Sequence, residues 1–181
     1  GFAATPLLAP RGVLYVAGVD QLDALAALGR EIRASGVRLD DASRADALAL
    51  CPVLRPEAAV AALVEPEAMD IDVHALHQGF LRGARAAGAT LWTDAELSSA
   101  RQEKGRWRLH LADGRVATAE RVVNAAGAWA DAVAQAAGLA ALGLQPKRRS
   151  AFTFDGPAGV DARAWPSVVS ADEGWYFKPD A

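Results

Sequence analysis

Arg121 to Ala132, Arg-Val-Val-Asn-Ala-Ala-Gly-Ala-Trp-Ala-Asp-Ala, is the stretch of this chain best suited to hold a ligand. It reads as a short buried strand, Val122-Val123, that turns into a helix through residues too small to cover their own backbone. Uncovered N–H groups at such a turn, with a helix start behind them, favour an anion. The competing reading is packing: any strand–helix unit needs small residues, and alanine is abundant throughout. A second candidate is Tyr176, in Trp175-Tyr176-Phe177-Lys178-Pro179. A phenol is a neutral donor that can hydrogen-bond a carboxylate without a counter-charge, although three adjacent aromatic residues equally suit an ordinary strand. Other polar residues offer less. His74 and His77 lie three apart on a helix, but no cysteine or carboxylate pair completes a metal site. Cys51 precedes a proline with no activating base nearby, and Asp70 and Asp72 read as turn and cap residues. No catalytic side chain and no metal site is expected.

The elements that must position these groups follow from periodicity and end signals. Leu14 to Gly18 reads as a strand, followed by a helix over about 21–34 with Leu22, Leu25, Leu28, Gly29 and Ile32 at helical spacing and Gly36 as its stop. A shorter helix is expected over 41–50, with Ser43 as N-cap and Pro52 ending it. Ala61 to Val64 is a short strand. Asp72 caps a helix over 72–87 whose Val73, Leu76, His77, Phe80, Leu81, Ala84 and Ala87 form one apolar stripe. Thr90 to Thr93 is expected as a strand. The period then becomes two: 96–103 and 106–111 form a hairpin around Lys104-Gly105, and 115–119 adds a third strand. Val122-Val123 and a helix over 129–137 complete that part. Beyond Gly143, strands are expected over 145–154, 167–170 and 175–178, with a loop over 156–164. The class is a mixed α/β protein.

Composition excludes several partners. With 52 % hydrophobic residues in 181, the chain can form a real core. A net charge of −3 with interspersed signs argues against nucleic acid, and no run of about 18 apolar residues suggests a membrane span. A single cysteine excludes an internal disulfide and fits a reducing, cytoplasmic setting.

The Val-Val-Asn-Ala-Ala-Gly-Ala-Trp segment resembles a signature of the flavin-dependent D-amino-acid oxidase family, in which such a segment packs against FAD. Met69 to Leu76 with Ala86-Ala87-Gly88-Ala89-Thr90 is similar to that family's helix-then-strand unit. Tyr176-Phe-Lys-Pro179 is similar to a Tyr-x-x-Pro segment whose tyrosine meets the substrate near its carboxylate. Gln145 to Arg149 is similar to the strand entering the substrate domain, where Arg148 or Arg149 would contact flavin or substrate, or simply face solvent. The resemblance implies FAD as cofactor, with Leu97, Ala125, Ala126, Gly127 and Trp129 on its adenosine and pyrophosphate side and Tyr176 on the substrate. It implies a partial Rossmann-like FAD domain with a β-meander over 66–143. Residues 1–65 and 144–181 would be parts of a substrate domain built on an antiparallel sheet.

The reaction so implied is removal of hydride from the carbon beside an amine of an amino acid or small amine, giving an imine; this needs no protein base. A 2-hydroxy-acid or glycerol-3-phosphate dehydrogenase of the same fold, or a binding module without flavin, stays open. No Gly-x-Gly-x-x-Gly fingerprint occurs in these residues. The chain is therefore expected to be an internal piece of a longer protein, holding little flavin alone and self-associating as a homodimer through an uncovered sheet edge.

Overall fold

The computed structural model describes residues 1–156 and 158–179. Pro157, in the loop expected over 156–164, and the last two residues of the expected substrate-domain span lie outside the described residues. Ten strands and four helices are formed among the described residues, in two compact units: Gly1–Gly83 with Thr153–Ala181, and Ala84–Phe152.

The first unit is built on a five-stranded sheet. Its strands are β2 (Val13–Ala17), β3 (Asp40–Ala42), β4 (Ala61–Glu65), β9 (Ser167–Ser170) and β10 (Tyr176–Phe177), in the order β10-β9-β2-β4-β3. Neighbours run antiparallel except at β2–β9, where Val13 to Val16 pair in parallel with Ser167 to Ser170. The central strand reads Val-Leu-Tyr-Val-Ala with no polar alternation because both of its faces are covered. On one face Leu14, Val16 and Val168 pack with Ala47, Cys51, Leu54 and Trp165. On the other Ala17 and Leu63 pack with Leu25, Leu39 and Ala171.

Two helices supply those covers. α1 (Leu22–Ala34) follows a 3₁₀ turn at Val19–Gln21 and buries Leu25 and Gly29. A Cβ on Gly29 would lie 2.9 Å from Leu63 Cδ1, so glycine there lets the helix lie close on β4. α2 (Arg44–Leu50) begins at Ser43, whose Oγ accepts from the Asp46 N–H at 3.2 Å while Asp46 accepts from the Ser43 N–H at 2.9 Å. That reciprocal cap satisfies donors left free by the first helical turn. Ser43 is the expected cap, but residues 40–42, partly assigned to this helix, instead form β3 against β4.

Two short strands lie apart from this sheet: β1 (Leu8–Pro10) pairs antiparallel with β5 (Met69–Ile71). α3 (Val73–Ala86) starts at Asp72, whose Oδ1 accepts from the Ala75 N–H at 2.8 Å. The apolar stripe expected on α3 is not a core face. Val73 and Phe80 are exposed, Leu76 and Leu81 half-buried, and Phe80 meets the Phe2 ring edge-on at 5.1 Å.

The second unit carries an antiparallel meander, β6 (Leu97–Glu103), β7 (Arg106–Leu111) and β8 (Val116–Ala119), with a bulge between Leu97 and Ser99. Lys104 and Gly105 both take positive φ, 52° and 79°, as a two-residue hairpin requires. α4 (Ala130–Ala136) follows a 3₁₀ turn at Gly127–Trp129.

Three expected strands do not form. Thr90 to Thr93 is a loop instead, where the Arg115 guanidinium donates to the Thr93 carbonyl at 3.1 Å and stacks over Trp92 at 4.9 Å. Val122-Val123 pairs with none of the described strands, and Val123 is 86 % exposed. Residues 145–154 are irregular. Thr90 to Thr93 and Val122-Val123 have strand composition, but among the described residues no strand pairs with either.

Candidate functional site

The Ala125-Ala126-Gly127 turn is braced from within by Asn124. Its Nδ2 donates to the Ala130 carbonyl at 2.8 Å, and its Oδ1 accepts from the Ala126 N–H at 3.3 Å. Asparagine hydrogen-bonding its own backbone two residues on is a standard way to hold a turn open. An asparagine ahead of Ala-Ala-Gly was the available signal for this role, which sequence reasoning missed. Gly127 takes φ 56°, and no atom lies within 4 Å of where a Cβ would stand, so that side of the turn is open. The first donors of the 3₁₀ turn that follows have no partner inside it. Ala125 and Gly127 are exposed, Ala126 is half-buried, and Trp129 is 72 % exposed, so it does not pack over the turn within this chain.

Leu97 opens β6 in the same unit. Its side chain lines a cavity of about 70 Å³ with Ala100, Trp107, Val122, Asn124, Val133, Ala134, Ala137 and Leu139. Leu97 and Asn124 therefore border one small space, which joins a cofactor candidate to the brace of the candidate turn. Asp131, in the first turn of α4, accepts from the N–H groups of Leu142, Gly143 and Leu144 at 2.8–3.0 Å and so ties down the segment after the helix.

Tyr176 lies in the first unit. Its strand is an edge of the five-stranded sheet, paired with Val169, and the tyrosine is 51 % exposed. Trp175 and Phe177 stack on each other, centroids 6.0 Å apart. Directly opposed residues share a face, so Tyr176, Val169, Tyr15 and Leu63 form one row across the sheet. The Tyr15 hydroxyl donates to Glu65 Oε2 at 3.0 Å. Burial, then that hydrogen bond, then the charges of Glu65 and Glu173 push the Tyr15 phenol up to about 12.

Ahead of Tyr176, the fully buried Ser170 donates to Asp172 and accepts from Gln21 Nε2 at 3.4 Å. The Ser170 hydroxyl and the Gly174 N–H, with Gln21, draw the Asp172 carboxyl down to about 2. After Tyr176, Lys178 Nζ bonds Asp70 Oδ1 at 2.7 Å, while Arg11 Nε bonds Asp70 Oδ2 at 2.7 Å. Asp70 is therefore the centre of an ion network and not a turn residue. Burial raises its carboxyl, but the Lys178 and Arg11 bonds and charges outweigh that and lower it.

Of the remaining candidates, Asp72 is the α3 cap. Cys51 is fully buried, and burial raises its thiol against two weaker backbone hydrogen bonds. His74 and His77 are both exposed. Among the described residues no group of three His, Cys, Asp or Glu could hold a metal, and no helix is long and apolar enough to cross a membrane. Arg148 and Arg149 lie exposed in the irregular segment.

A mixed α/β fold with several sheets is the architecture of part of an FAD-binding oxidoreductase. The chain belongs to the FAD dependent oxidoreductase family, the family of D-amino-acid oxidase, whose sequence model matches residues 3–181. The cofactor of this family is FAD. Among solved structures, the chain is similar to glycine oxidase from Geobacillus kaustophilus, with 23 % identity and a TM-score of 0.71 over 97 % of this chain and 46 % of that one. It is similar to iminodiacetate oxidase from Chelativorans sp. BNC1, with 26 % identity and a TM-score of 0.61 over 90 % of this chain and 44 % of that one. It also resembles L-α-glycerophosphate oxidase from Mycoplasma pneumoniae, solved with FAD bound, with 20 % identity and a TM-score of 0.65 over 72 % and 36 %. The chain spans less than half the length of each.

Proposed function

We propose that the protein to which this chain belongs oxidises the CH–NH bond of an amino acid or small amine to an imine. The likeness to iminodiacetate oxidase across 90 % of the chain is the observation that carries this reading over its alternatives. The residues present fit the cofactor: Asn124 holds the Ala125-Ala126-Gly127 turn open, and at Gly127 the side chain that would obstruct an anion is missing. In this reading the turn backbone meets the pyrophosphate, Leu97 lies on the adenosine side through its backbone, and the exposed Trp129 faces the same side of the cofactor. Bound FAD supplies the hydride acceptor. Residues 66–143 contribute to its domain, and 1–65 with 144–181 to the substrate domain.

The chain's own groups bind and orient. The exposed Tyr176 hydroxyl donates to the substrate carboxylate as a neutral partner, which holds the substrate without adding charge beside the reacting carbon. No side chain here is assigned to take a proton from the substrate, because hydride removal from a neutral amine requires none.

The likeness to glycerophosphate oxidase supports a second reading, oxidation of a phosphorylated alcohol. A cytoplasmic setting and a homodimer belong to the proposal too. They are supported by the buried reduced Cys51 and by exposed apolar residues such as Val123, Trp129 and Leu142. Light scattering on the complete protein tests the dimer. The deciding experiment is the visible spectrum of the complete protein with FAD, before and after anaerobic glycine, sarcosine, iminodiacetate, D-amino acids or glycerol 3-phosphate. Bleaching by an amine supports the first reading and bleaching only by the phosphate ester the second. Bands that no amine bleaches would overturn the amine assignment.

A further inference from the structure

β10 is only two residues long, and two backbone pairings do not by themselves fix an edge strand against sliding or rolling. The chain holds it from both sides instead. On its N-terminal side the Ser170–Asp172–Gln21 network and the Ser170 N–H bond to the Trp175 carbonyl at 3.1 Å set the hairpin. On its C-terminal side Lys178, two residues beyond Tyr176, is tied to Asp70.

Asp70 is a well-anchored post. It sits in the middle of β5, which is paired with β1, and the Asp70 and Arg11 side chains are 22 % and 12 % exposed. Each carboxylate oxygen takes one cation. Arg11 is itself fixed by donating to the carbonyls of Arg163 and Trp165 at 3.2 Å, just ahead of β9. One carboxylate thus links segments around 11, 70, 163–165 and 178. Charge-assisted bonds of this length are about twice as strong as neutral ones, and the network is shielded well enough for its geometry to be kept. Lys178, at 43 % exposure, is its outermost member and the one that reaches the tyrosine strand.

We infer that Asp70, acting through Lys178, is a positioning residue for Tyr176, fixing the edge strand from which the tyrosine hydroxyl meets the substrate carboxylate. The inference rests on the amine-oxidation reading and assigns Asp70 and Lys178 a part in carboxylate recognition, with no contact to substrate required of either.

The test uses the complete FAD-loaded protein and the amine that bleaches it, with Lys178→Met, which keeps the apolar stem at an accessible position. Lys178→Met and Asp70→Ala are expected to raise KM about tenfold, roughly one hydrogen bond's worth, with kcat within twofold. Acetate, a non-reacting carboxylate read through its perturbation of the flavin band, weakens by the same factor, and Lys178→Arg and Asp70→Glu recover part of the loss. Hydrogen exchange of the peptide over 171–179 quickens in Lys178→Met, a readout independent of turnover. In a Tyr176→Phe background, Lys178→Met adds nothing further to KM.

If Tyr176→Phe raises KM but Lys178→Met leaves KM and acetate affinity unchanged, the positioning role is wrong while the function stands. A fall in melting temperature without a change in KM also overturns the positioning role. If the two substitutions multiply, Lys178 acts independently of Tyr176 and the inference fails. If Tyr176→Phe itself changes neither KM nor acetate affinity, the assignment of Tyr176 falls first and takes this one with it.

Discussion

The two units bury different things. In the first, Leu14, Val16 and Val168 are fully buried, with Leu25, Leu54, Leu63 and Trp165 close to it. In the second the buried apolar residues are three alanines, Ala100, Ala130 and Ala134, while Trp92, Val123, Trp129, Leu142 and Phe152 stand exposed. Burying a Leu or Val side chain is worth about 1.5–3 kcal/mol, and alanine contributes far less. The first unit therefore has an interior that specifies its geometry, whereas the second relies on local devices: the Lys104-Gly105 hairpin, the Asn124 brace and the Asp131 tie. The candidate sites differ in the same way. Tyr176 is held by long-range polar links, the Ala-Ala-Gly turn by its immediate neighbours.

The sharpest way to break this contrast is Leu14→Ala. Removing a fully buried leucine should cost about 2–5 kcal/mol in urea unfolding followed by tryptophan fluorescence, since Trp165 lines the same core. A loss below about 1 kcal/mol would mean that this core is not what holds the first unit. In the second unit, Gly127→Val forces a branched side chain into a left-handed backbone at a cost of about 1–2 kcal/mol. In the complete protein the expected outcome is about a tenfold loss of FAD affinity, read by flavin retention on dialysis. Unchanged retention would dissociate the turn from the cofactor.

A gain is expected from Ala100→Val. It adds methyl groups beside the cavity of about 70 Å³ and suits a strand, for about 0.5–1 kcal/mol of added stability by denaturant midpoint. A net loss would mean the space cannot accept atoms. The smallest effect concerns pH. The Tyr15 phenol ionises near 10.0 in the unfolded chain and about 12 in the folded one, so the native state holds its proton more tightly. Stability from this group is complete below pH 10 and is lost as pH rises towards 12. Tyr15→Phe should flatten that part of the stability curve, and an unaltered slope would place the titration elsewhere.

What the sequence disclosed was local. Ser43 and Asp72 as caps, the helix of Leu25 and Gly29, the hairpin at Lys104-Gly105 and the strands at Leu14 and Val168 are each encoded within a few residues, by end signals or periodicity. The failures share a cause. Val122-Val123 and Thr90 to Thr93 have strand composition but no pairing strand among the described residues, whereas Leu8–Pro10, Asp40–Ala42 and Met69–Ile71 have weak composition and find one. A strand is a relation between two segments, and one segment read alone carries half of it. The apolar stripe of α3 has the right spacing, yet spacing does not say whether a partner surface arrives. The same limit hides the Asp70 network, whose members are 59 and 108 residues apart. Asn124, by contrast, is legible as a turn residue, its signal overshadowed by its smaller neighbours.

The parallel junction between β2 and β9 has a consequence for the newborn chain. Val13 leaves the ribosome about 150 residues before Ser167, its partner, so at 5–20 residues per second β2 waits roughly 8–30 s for one of its two neighbours. In that interval β4 has already paired on the other side and the meander has closed on itself, because both need only nearby partners. The strand bearing Tyr176 docks onto β9 and therefore cannot form before it. The sheet edge that carries Tyr176 is thus set in place only after the other four strands of its sheet have been made.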